Sequence, residues 1–188
     1  MFSIKNLMVG TATAAIIAFA AAQPASAQQA CDINGVPQTP SPAADSLECG
    51  TTAVASGVSS TAVGVDANAT EIQTTAIGEG ANATDDDATA VGYDSNSTGF
   101  HSTAVGALSD ATAIGSTAIG WDSDATGARS TALGNSARAT AVDSTALGRS
   151  ATATAVESTA VGQQSNATGE NSTALGQNAA ATGARSTA

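Results

Sequence analysis

The chain has few of the residues on which catalysis and nucleic-acid binding depend. Its 188 residues include one histidine (His101), two cysteines, and five lysines and arginines against sixteen aspartates and glutamates. A net charge of −11 argues against nucleic acid as a partner, because binding phosphates requires clustered basic side chains. With one imidazole and no phosphate-loop or metal-ligand spacing, the sequence predicts no enzyme, no cofactor and no resident metal.

Large side chains that would fill a hydrophobic core are also scarce. Aromatic residues make up 3% of the chain, and beyond the first twenty residues they are Tyr93, Phe100 and Trp121. Alanine supplies most of the 42% hydrophobic fraction, so an ordinary globular core is not predicted. Frequent Val, Ile and Leu with only 11% charged residues argue equally against a disordered chain. These features favour a repeat protein.

The N-terminus has the features of an export signal. Lys5 is followed by an apolar run from Leu7 to Ala22, and Ala25-Ser26-Ala27 supplies the small-x-small pattern at which signal peptidases cleave. We therefore predict a signal peptide over residues 1–27 and a mature chain that begins at Gln28. The alternative is a retained anchor helix, for which the run is short and rich in alanine.

A short segment at 28–50 separates this signal from the rest of the chain. It contains Pro37, Pro40 and Pro42, which predict an irregular, extended linker. It also contains both cysteines, Cys31 and Cys49. Export favours an intramolecular disulfide between them, which would contribute about 3 kcal/mol in the chain-entropy model. Free thiols and cross-links between chains are the competing interpretations.

A strict fourteen-residue period governs residues 51–188. The tetrapeptide Thr-Ala-[Val/Ile/Leu]-Gly recurs without slippage, and a half-period later a second signature, [Ala/Ser]-x-[Ala/Ser]-Thr, recurs in the same frame. The glycines of the first signature are Gly64, Gly78, Gly92, Gly106, Gly120, Gly134, Gly148, Gly162 and Gly176. A short fixed period of this kind is typical of a solenoid built from stacked coils.

The spacing predicts an all-β parallel solenoid with two short strands in each coil. One strand is predicted at Ser60–Val63 and the other at Ala67–Thr70, with a turn that opens at Gly64, where a positive φ is cheap. Small residues fill the narrow interior, and Thr61 and Val63 point outward. Each coil carries one reliably large aliphatic residue, namely Val63, Ile77, Val91, Val105, Ile119, Leu133, Leu147, Val161 and Leu175.

A single thin coil of this kind buries little apolar surface. One or two aliphatic side chains contribute roughly 1.5–6 kcal/mol per coil, whereas ordering fourteen residues costs on the order of 14–28 kcal/mol of backbone entropy. Backbone hydrogen bonds recover part of the difference. We therefore expect the aliphatic ladder to be covered by identical chains in an obligate homo-oligomer.

The repeat Ser-Thr-Ala-Val-Gly-x-x-Ala-x-Ala-Thr-Gly resembles the head repeat of trimeric autotransporter adhesins, the YadA-like head or Hep/Hag repeats of Gram-negative bacteria. The resemblance covers about Thr52 to Ala188. It implies a left-handed parallel β-roll, a parallel homotrimer with the aliphatic ladder on the three-fold axis, display at the outer-membrane surface, and adhesion to host matrix, host cells or other bacteria. Family members carry a coiled-coil stalk and a β-barrel anchor, so we expect membrane attachment through an anchor missing from this sequence.

Other classes of function remain open at this stage. The threonine columns at Thr61 and Thr70 are compatible with a secreted structural, ice-binding or mineral-binding solenoid. Thirteen acidic residues and no arginine lie between Gln28 and Ala128. Turn aspartates such as Asp66, Asp94 and Asp122 are therefore compatible with a calcium-binding site, because Ca²⁺ prefers oxygen ligands. A solvated acidic surface is the simpler interpretation.

Two further groups of residues have alternative interpretations. Tyr93, Phe100 and Trp121 are predicted at turns, where they either pack over neighbouring coils or contact a ligand. Asparagines begin several Asn-x-Thr sequences, and we interpret them as turn formers. They are Asn68, Asn82, Asn96, Asn166 and Asn171.

Overall fold

The computed structural model describes residues 43–188 throughout, together with the backbone of residues 29–30, 32–33 and 36–37. The predicted signal peptide, residues 1–27, lies outside the described residues. All regular elements in the described part are short strands. They are β1 (Gln29–Ala30), β2 (Asp32–Ile33), β3 (Val36–Pro37), β4 (Leu47–Cys49), β5 (Val54–Ala55), β6 (Thr61–Val63), β7 (Asn68–Ala69), β8 (Thr75–Ile77), β9 (Asn82–Ala83), β10 (Thr89–Val91), β11 (Asn96–Ser97), β12 (Thr103–Val105), β13 (Asp110–Ala111), β14 (Thr117–Ile119), β15 (Asp124–Ala125), β16 (Thr131–Leu133), β17 (Arg138–Ala139), β18 (Thr145–Leu147), β19 (Thr152–Ala153), β20 (Thr159–Val161), β21 (Asn166–Ala167), β22 (Thr173–Leu175) and β23 (Ala180–Ala181).

The strands stack into two parallel sheets that run the length of the solenoid. The first sheet has eleven strands in the order β1-β4-β6 and onward through the even-numbered strands to β22. The second has ten, the odd-numbered strands from β5 to β23. Neighbouring strands are in register at fourteen residues, so that Thr75 faces Thr89 and Asn82 faces Asn96. The predicted parallel β-solenoid with two strands per coil is confirmed, with about ten coils.

Each coil consists of two similar seven-residue halves. Every half ends in a tight turn, closed for example by the Ala67 amide donating to the Gly64 carbonyl. The residue before each closing amide adopts a left-handed conformation, as Asp66 does with φ 56°. Such residues occur at every seventh position from Asp45 to Arg185, and only Gly80 and Gly115 among them are glycine. The turns therefore depend on one left-handed residue per half-coil, whatever its side chain.

Alanine fills the interior of the coils. The middle residue of each three-residue strand from β6 to β22, such as Ala62, Ala76 or Ala118, is completely buried, as is the second residue of most strands in the second sheet, such as Ala69. Serine hydroxyls satisfy carbonyl groups at the corners, for example Ser116 Oγ donating to Ala113 O at 2.7 Å and Ser109 Oγ to Gly106 O at 2.8 Å. Small side chains are required because the two sheets lie too close together for larger ones.

Gly64 shows why the glycine of each coil is needed. Its φ of 139° lies in a region that L-residues rarely adopt. A Cβ at this position would also overlap the carbonyl oxygen of Gly78 in the next coil. The sequence prediction of a positive φ at Gly64 is confirmed, and the close approach between coils is a second reason for the glycine.

Regular structure begins earlier than the predicted boundary at residue 51. Strand β4 lies within the segment expected to be irregular, and it pairs in register with β6, placing Cys49 beside Val63. The physical reason is that Ser46-Leu47-Glu48-Cys49-Gly50 is a divergent copy of Ser60-Thr61-Ala62-Val63-Gly64. Strand β1 adds a further parallel partner to β4, and β2 and β3 form a short antiparallel pair.

Cys49 is half-buried on this strand and is disulfide-bonded. Cys31 lies outside the described residues, so its pairing with Cys49 stays a prediction. In the part of the chain that the structure describes, no helix has the length and apolar character needed to cross a membrane.

Candidate functional site: the outer columns of the solenoid

The outer face of the first sheet carries the predicted aliphatic ladder. Because side chains alternate along a strand, Ala62 points inward while Thr61 and Val63 point outward. The isoleucines and leucines of this ladder are between 37% and 66% exposed, and the valines are partly exposed. The structure therefore places Val63, Ile77, Val91, Val105, Ile119, Leu133, Leu147, Val161 and Leu175 outside the alanine core, in one straight column.

A second apolar column runs along one corner of the solenoid. We call the turn after each strand of the second sheet the distal corner, exemplified by Glu71–Gln73. Its middle position is apolar in most coils, with exposed fractions between 39% and 63% at Val58, Ile72, Phe100, Ile114, Val142 and Val156. The distal corner precedes each strand of the first sheet, whereas the ladder residue ends that strand directly before the glycine corner, as Val63 precedes Gly64.

The opposite corner is polar. We call the turn after each strand of the first sheet the glycine corner, exemplified by Gly64–Asp66. Its middle position is polar or charged in most coils, as at Glu79, Asn135, Arg149 and Gln163. Tyr93 and Trp121 are the aromatic exceptions, and each is about half exposed, at 53% and 52%.

Trp121 and Tyr93 therefore lie on the same corner, whereas Phe100 lies on the distal corner. The Phe100 ring stacks on His101, with centroids 3.9 Å apart. His101 is left-handed and exposed, and its Nε2 lies 3.1 Å from Asp87 Oδ2. Local packing thus accounts for Phe100. No comparable ring contact accounts for Tyr93 or Trp121 among the described residues.

Side-chain ladders cover the outer face of the second sheet. Asn68, Asn82, Asn96 and Asn166 lie on its strands and not in turns, so their interpretation as turn formers is wrong, while Asn171 does occupy a left-handed turn position. Their Asn-x-Thr sequences follow from alternation along the strand, which places the asparagine and the threonine on the same outward face. The column continues from Asn96 through Asp110 and Asp124 to Arg138.

A groove lies between this column and the glycine corner over three successive coils. Its volume is about 320 Å³, and it is lined by Leu108, Asp110, Asp122, Ser123, Asp124, Ser136 and Arg138. Arg138 Nε lies 3.3 Å from Asp124 Oδ2 at one end. The other carboxylate oxygen of Asp124, Oδ1, is buried and has no hydrogen-bond partner.

Negative charge accumulates around this groove. Burial raises the pKa of Asp110 above its ordinary value, a hydrogen bond from Asn96 partly offsets this, and the charges of Asp124 and Asp122 raise the pKa further. At the adjoining corner, a hydrogen bond to Asp94 and the charges of Asp94 and Glu79 raise the pKa of Tyr93. Within the described residues no group of three or more His, Cys, Asp or Glu side chains is arranged to hold a metal ion.

These features define a class of protein, a parallel β-solenoid with an interior of small residues and aliphatic residues outside. Its repeats match the family model described as "YadA head domain repeat (2 copies)" over most of the chain, at residues 55–78, 69–95, 97–123, 125–151, 139–165, 153–179 and 167–188. The chain therefore belongs to the YadA head repeat family. Family and fold point to an adhesin, which is a non-enzymatic role.

The solved structures include a similar chain. It is the collagen-binding domain of the Yersinia adhesin YadA, with 25% sequence identity and a TM-score of 0.38 over 72% of this chain and 68% of that one. The comparison with curated proteins finds no match.

Proposed function

We propose that this chain is the surface-exposed head of a trimeric autotransporter adhesin, which attaches a Gram-negative bacterium to host matrix, host cells or other bacteria. The observation that carries the proposal is the aliphatic ladder, which the fold leaves outside its own core. Membership of the YadA head family supports the adhesive role. The predicted signal peptide supports export.

The partner that fits the aliphatic ladder is another copy of the same chain. Side chains in the ladder repeat at the spacing of parallel strands, about 4.8 Å, over nine coils. A second solenoid in parallel register presents the same spacing, so its side chains interlock with the first along the whole length. Burying the exposed part of each isoleucine or leucine contributes about 1 kcal/mol. Three copies around one axis is the arrangement that the family resemblance implies.

The distribution of polar residues supports the same orientation. The outer face of the second sheet carries polar columns, such as the asparagines from Asn68 to Asn96, whereas the outer face of the first sheet carries the aliphatic ladder. Both corners carry charged residues, for example Glu79 and Arg149 on the glycine corner and Glu71 and Glu157 on the distal corner. We infer that the second sheet faces solvent in the trimer.

Sedimentation equilibrium on the exported chain tests the assembly. We expect a trimer, and we expect Leu133→Asp to weaken it because three carboxylates would then meet at the axis. The matched control is Thr140→Asp, which introduces the same charge in the same coil on the outer face of the second sheet and should leave the trimer intact. A folded wild-type monomer at micromolar concentration would contradict the proposal.

Attachment to immobilised matrix proteins tests the adhesive role. Three equivalent faces raise the effective concentration of each binding surface, so the trimer should attach about 10²-fold more strongly than the Leu133→Asp variant. The readout is retention of head-coated beads on collagen, laminin and fibronectin under flow, and antibody labelling of intact bacteria tests surface display. Equal retention on albumin would argue against adhesion.

The threonine column on the second sheet favours a second candidate function. Thr70 and its counterparts form an unbroken column on the outer face that we assign to solvent. A regular row of hydroxyl and methyl groups fits an ordered surface such as ice or a mineral. Thermal hysteresis of the purified head would support this function, and its absence would leave adhesion as the conclusion.

A further inference from the structure

We propose that strand β1 and the side chain of Glu48 form a cap that closes the N-terminal end of the solenoid. The terminal strand of a parallel sheet presents backbone groups that can pair with another chain, and repeat proteins cover such ends with atypical capping units. The cap concerns one end of the rod, so it does not depend on how many chains assemble around the axis.

Strand β1 covers the edge of the first sheet. It pairs in parallel with β4, with Gln29 opposite Leu47 and Ala30 opposite Glu48, and it lies on the side of β4 that faces away from β6. The spacing between these paired residues differs from the fourteen-residue period that relates β4 to β6. Strand β1 is therefore an added strand and not one more copy of the repeat. It supplies backbone partners in the place of a preceding coil.

The second sheet is closed in a different way. In the described part of the chain, its terminal strand at this end is β5. The Val54 amide donates to Ala67 O in the next coil at 2.8 Å, and two residues later the Ser56 amide donates to Ala69 O at 3.0 Å. Because amides alternate in direction along a strand, the Ala55 amide points the other way, toward the N-terminal end. Ala55 is completely buried, so this amide requires an acceptor inside the protein.

The side chain of Glu48 supplies an acceptor. Its Oε2 lies 3.0 Å from the Ala55 amide nitrogen. Glu48 pairs in register with Ala62, which points into the interior and is completely buried, so the Glu48 side chain also extends inward. It begins on the first sheet and reaches the second sheet across the interior of the first coil (residues 47–60). The two sheets are thus connected at the end of the rod by one side chain.

Glutamate at this position departs from the repeat. Every later coil carries alanine there, from Ala62 to Ala174. A half-buried carboxylate is costly unless it is hydrogen-bonded, and no lysine or arginine lies between Gln28 and Ala128 to pair with it. The exception occurs in the coil where the second sheet begins, which is where a backbone amide requires a side-chain acceptor. This coincidence is what the capping role explains.

Amide hydrogen exchange of the full head, resolved to single residues by mass spectrometry, tests the role of Glu48. Glu48→Ala introduces the residue that every later coil carries, so the variant should fold. We expect the Ala55 amide to exchange about threefold to tenfold faster, as for one lost hydrogen bond, and the amide of Ala139, at the equivalent position of a central coil, to be unchanged. Glu48→Gln retains an acceptor oxygen and should restore most of the protection.

Glu79→Ala is the matched control. It removes an exposed carboxylate from a corner position that Ala107 occupies in another coil, and exchange at Ala55 should not change. Equal exchange at Ala55 in the wild type and Glu48→Ala would overturn the inference, as would equal exchange in Glu48→Ala and Glu48→Gln. Faster exchange at both Ala55 and Ala139 would also overturn it, because the glutamate would then stabilise the whole fold and not its end.

The same measurement tests the role of β1. The Leu47 amide donates to Ser60 O in the next coil at 2.8 Å, so the amide of Glu48 points toward β1. We expect the Glu48 amide to be protected in the wild type. Exchange at the rate of an exposed loop would show that β1 does not cover this edge and would overturn its part in the cap.

Discussion

Asn82 and Asn96 occupy equivalent positions in successive coils, and Asn82 Nδ2 donates a hydrogen bond of 3.0 Å to Asn96 Oδ1. The same bond joins Asn68 to Asn82 at 3.0 Å. Each amide thus donates to the next coil and accepts from the previous one. The ladder of asparagine amides ends at Asp110, whose carboxylate lies beside a second carboxylate, that of Asp124, on the neighbouring strand.

We predict that Asp110→Asn stabilises the head at neutral pH. The amide extends the ladder by one member and removes the repulsion from Asp124 and Asp122. The free energy of unfolding should rise by about 0.2–1 kcal/mol, the range for one cross-strand pair, as measured by urea denaturation. Glu157→Gln is the control and should change stability little, since glutamine already occupies left-handed turns at Gln73 and Gln164.

This stabilisation should depend on pH. The pKa of Asp110 is raised by burial and by its acidic neighbours, so the folded state binds the proton more tightly than the unfolded state. The charged carboxylate therefore destabilises the fold above its folded pKa, and this cost disappears as the pH falls through that value towards the unfolded pKa. The difference between Asp110→Asn and the wild type should shrink to nothing in acid. A constant difference from pH 7 to pH 3 would contradict the assignment.

Gly64→Ala should destabilise the head far more than Gly115→Ala. Both glycines have positive φ, but a Cβ at Gly64 overlaps the backbone of the next coil, whereas a Cβ at Gly115 makes its nearest contact at 3.7 Å, with Arg129 Cγ. We expect a loss of about 1–2 kcal/mol at Gly115 from the left-handed conformation alone and several times that at Gly64. Thermal unfolding followed by circular dichroism measures both, and equal losses would contradict the close approach.

Ala118→Val should destabilise the head by about 1–3 kcal/mol, because the coil interior has no space for two more methyl groups. Thr117→Val places the same side chain one residue earlier on the outer face of the same strand and should change stability by about 0.5 kcal/mol or less. Chemical denaturation of the two variants gives the comparison. If both changes were equally mild, the interior would be wider than the buried alanines indicate.

Arg129→Gln should lower the melting temperature slightly at low salt and neutral pH. Arg129 Nε lies 2.7 Å from Asp143 Oδ1, and this hydrogen bond, together with the charge of Arg129, lowers the pKa of Asp143. The stabilisation is therefore present above the unfolded pKa of the aspartate and lost as the pH falls through the lowered value. The difference from wild type should vanish in strong acid and in 1 M salt, where the Debye length is about 3 Å. Arg149→Gln, without an ion pair among the described residues, is the control.

The solenoid could be predicted from the sequence because three features indicate the same fold. They are the fourteen-residue period, the glycine at one turn of each coil and the absence of proline from the repeats. The strands are confirmed to within a residue at each end, as Thr61–Val63 against the predicted Ser60–Val63 shows. The conformation of the distal corner was harder to predict, since its left-handed position carries residues as different as Gln73, His101 and Arg129. The residue type at this position does not indicate a left-handed conformation, because the stacking of neighbouring coils fixes the backbone there.

The groove could not be predicted for a related reason. Leu108, Asp122 and Arg138 lie in different repeats and become neighbours only through the pairing of adjacent coils. Tyr93 and Trp121 are two fourteen-residue periods apart and Phe100 is half a period from Tyr93, so the period alone indicates that Phe100 lies on the opposite corner. The left-handed backbone at Leu108 is visible only in the structure.

The left-handed turn residues have a consequence for how such a head changes over time. Backbone stacking fixes each bend whatever side chain it carries. The twenty-one bends from Asp45 to Arg185 therefore tolerate many residue types at their left-handed position, whereas the interior is built from alanine, serine and glycine. Substitutions at these bends alter what the rod presents to its surroundings while the internal architecture stays constant. A lineage can thus replace its recognition chemistry one bend at a time.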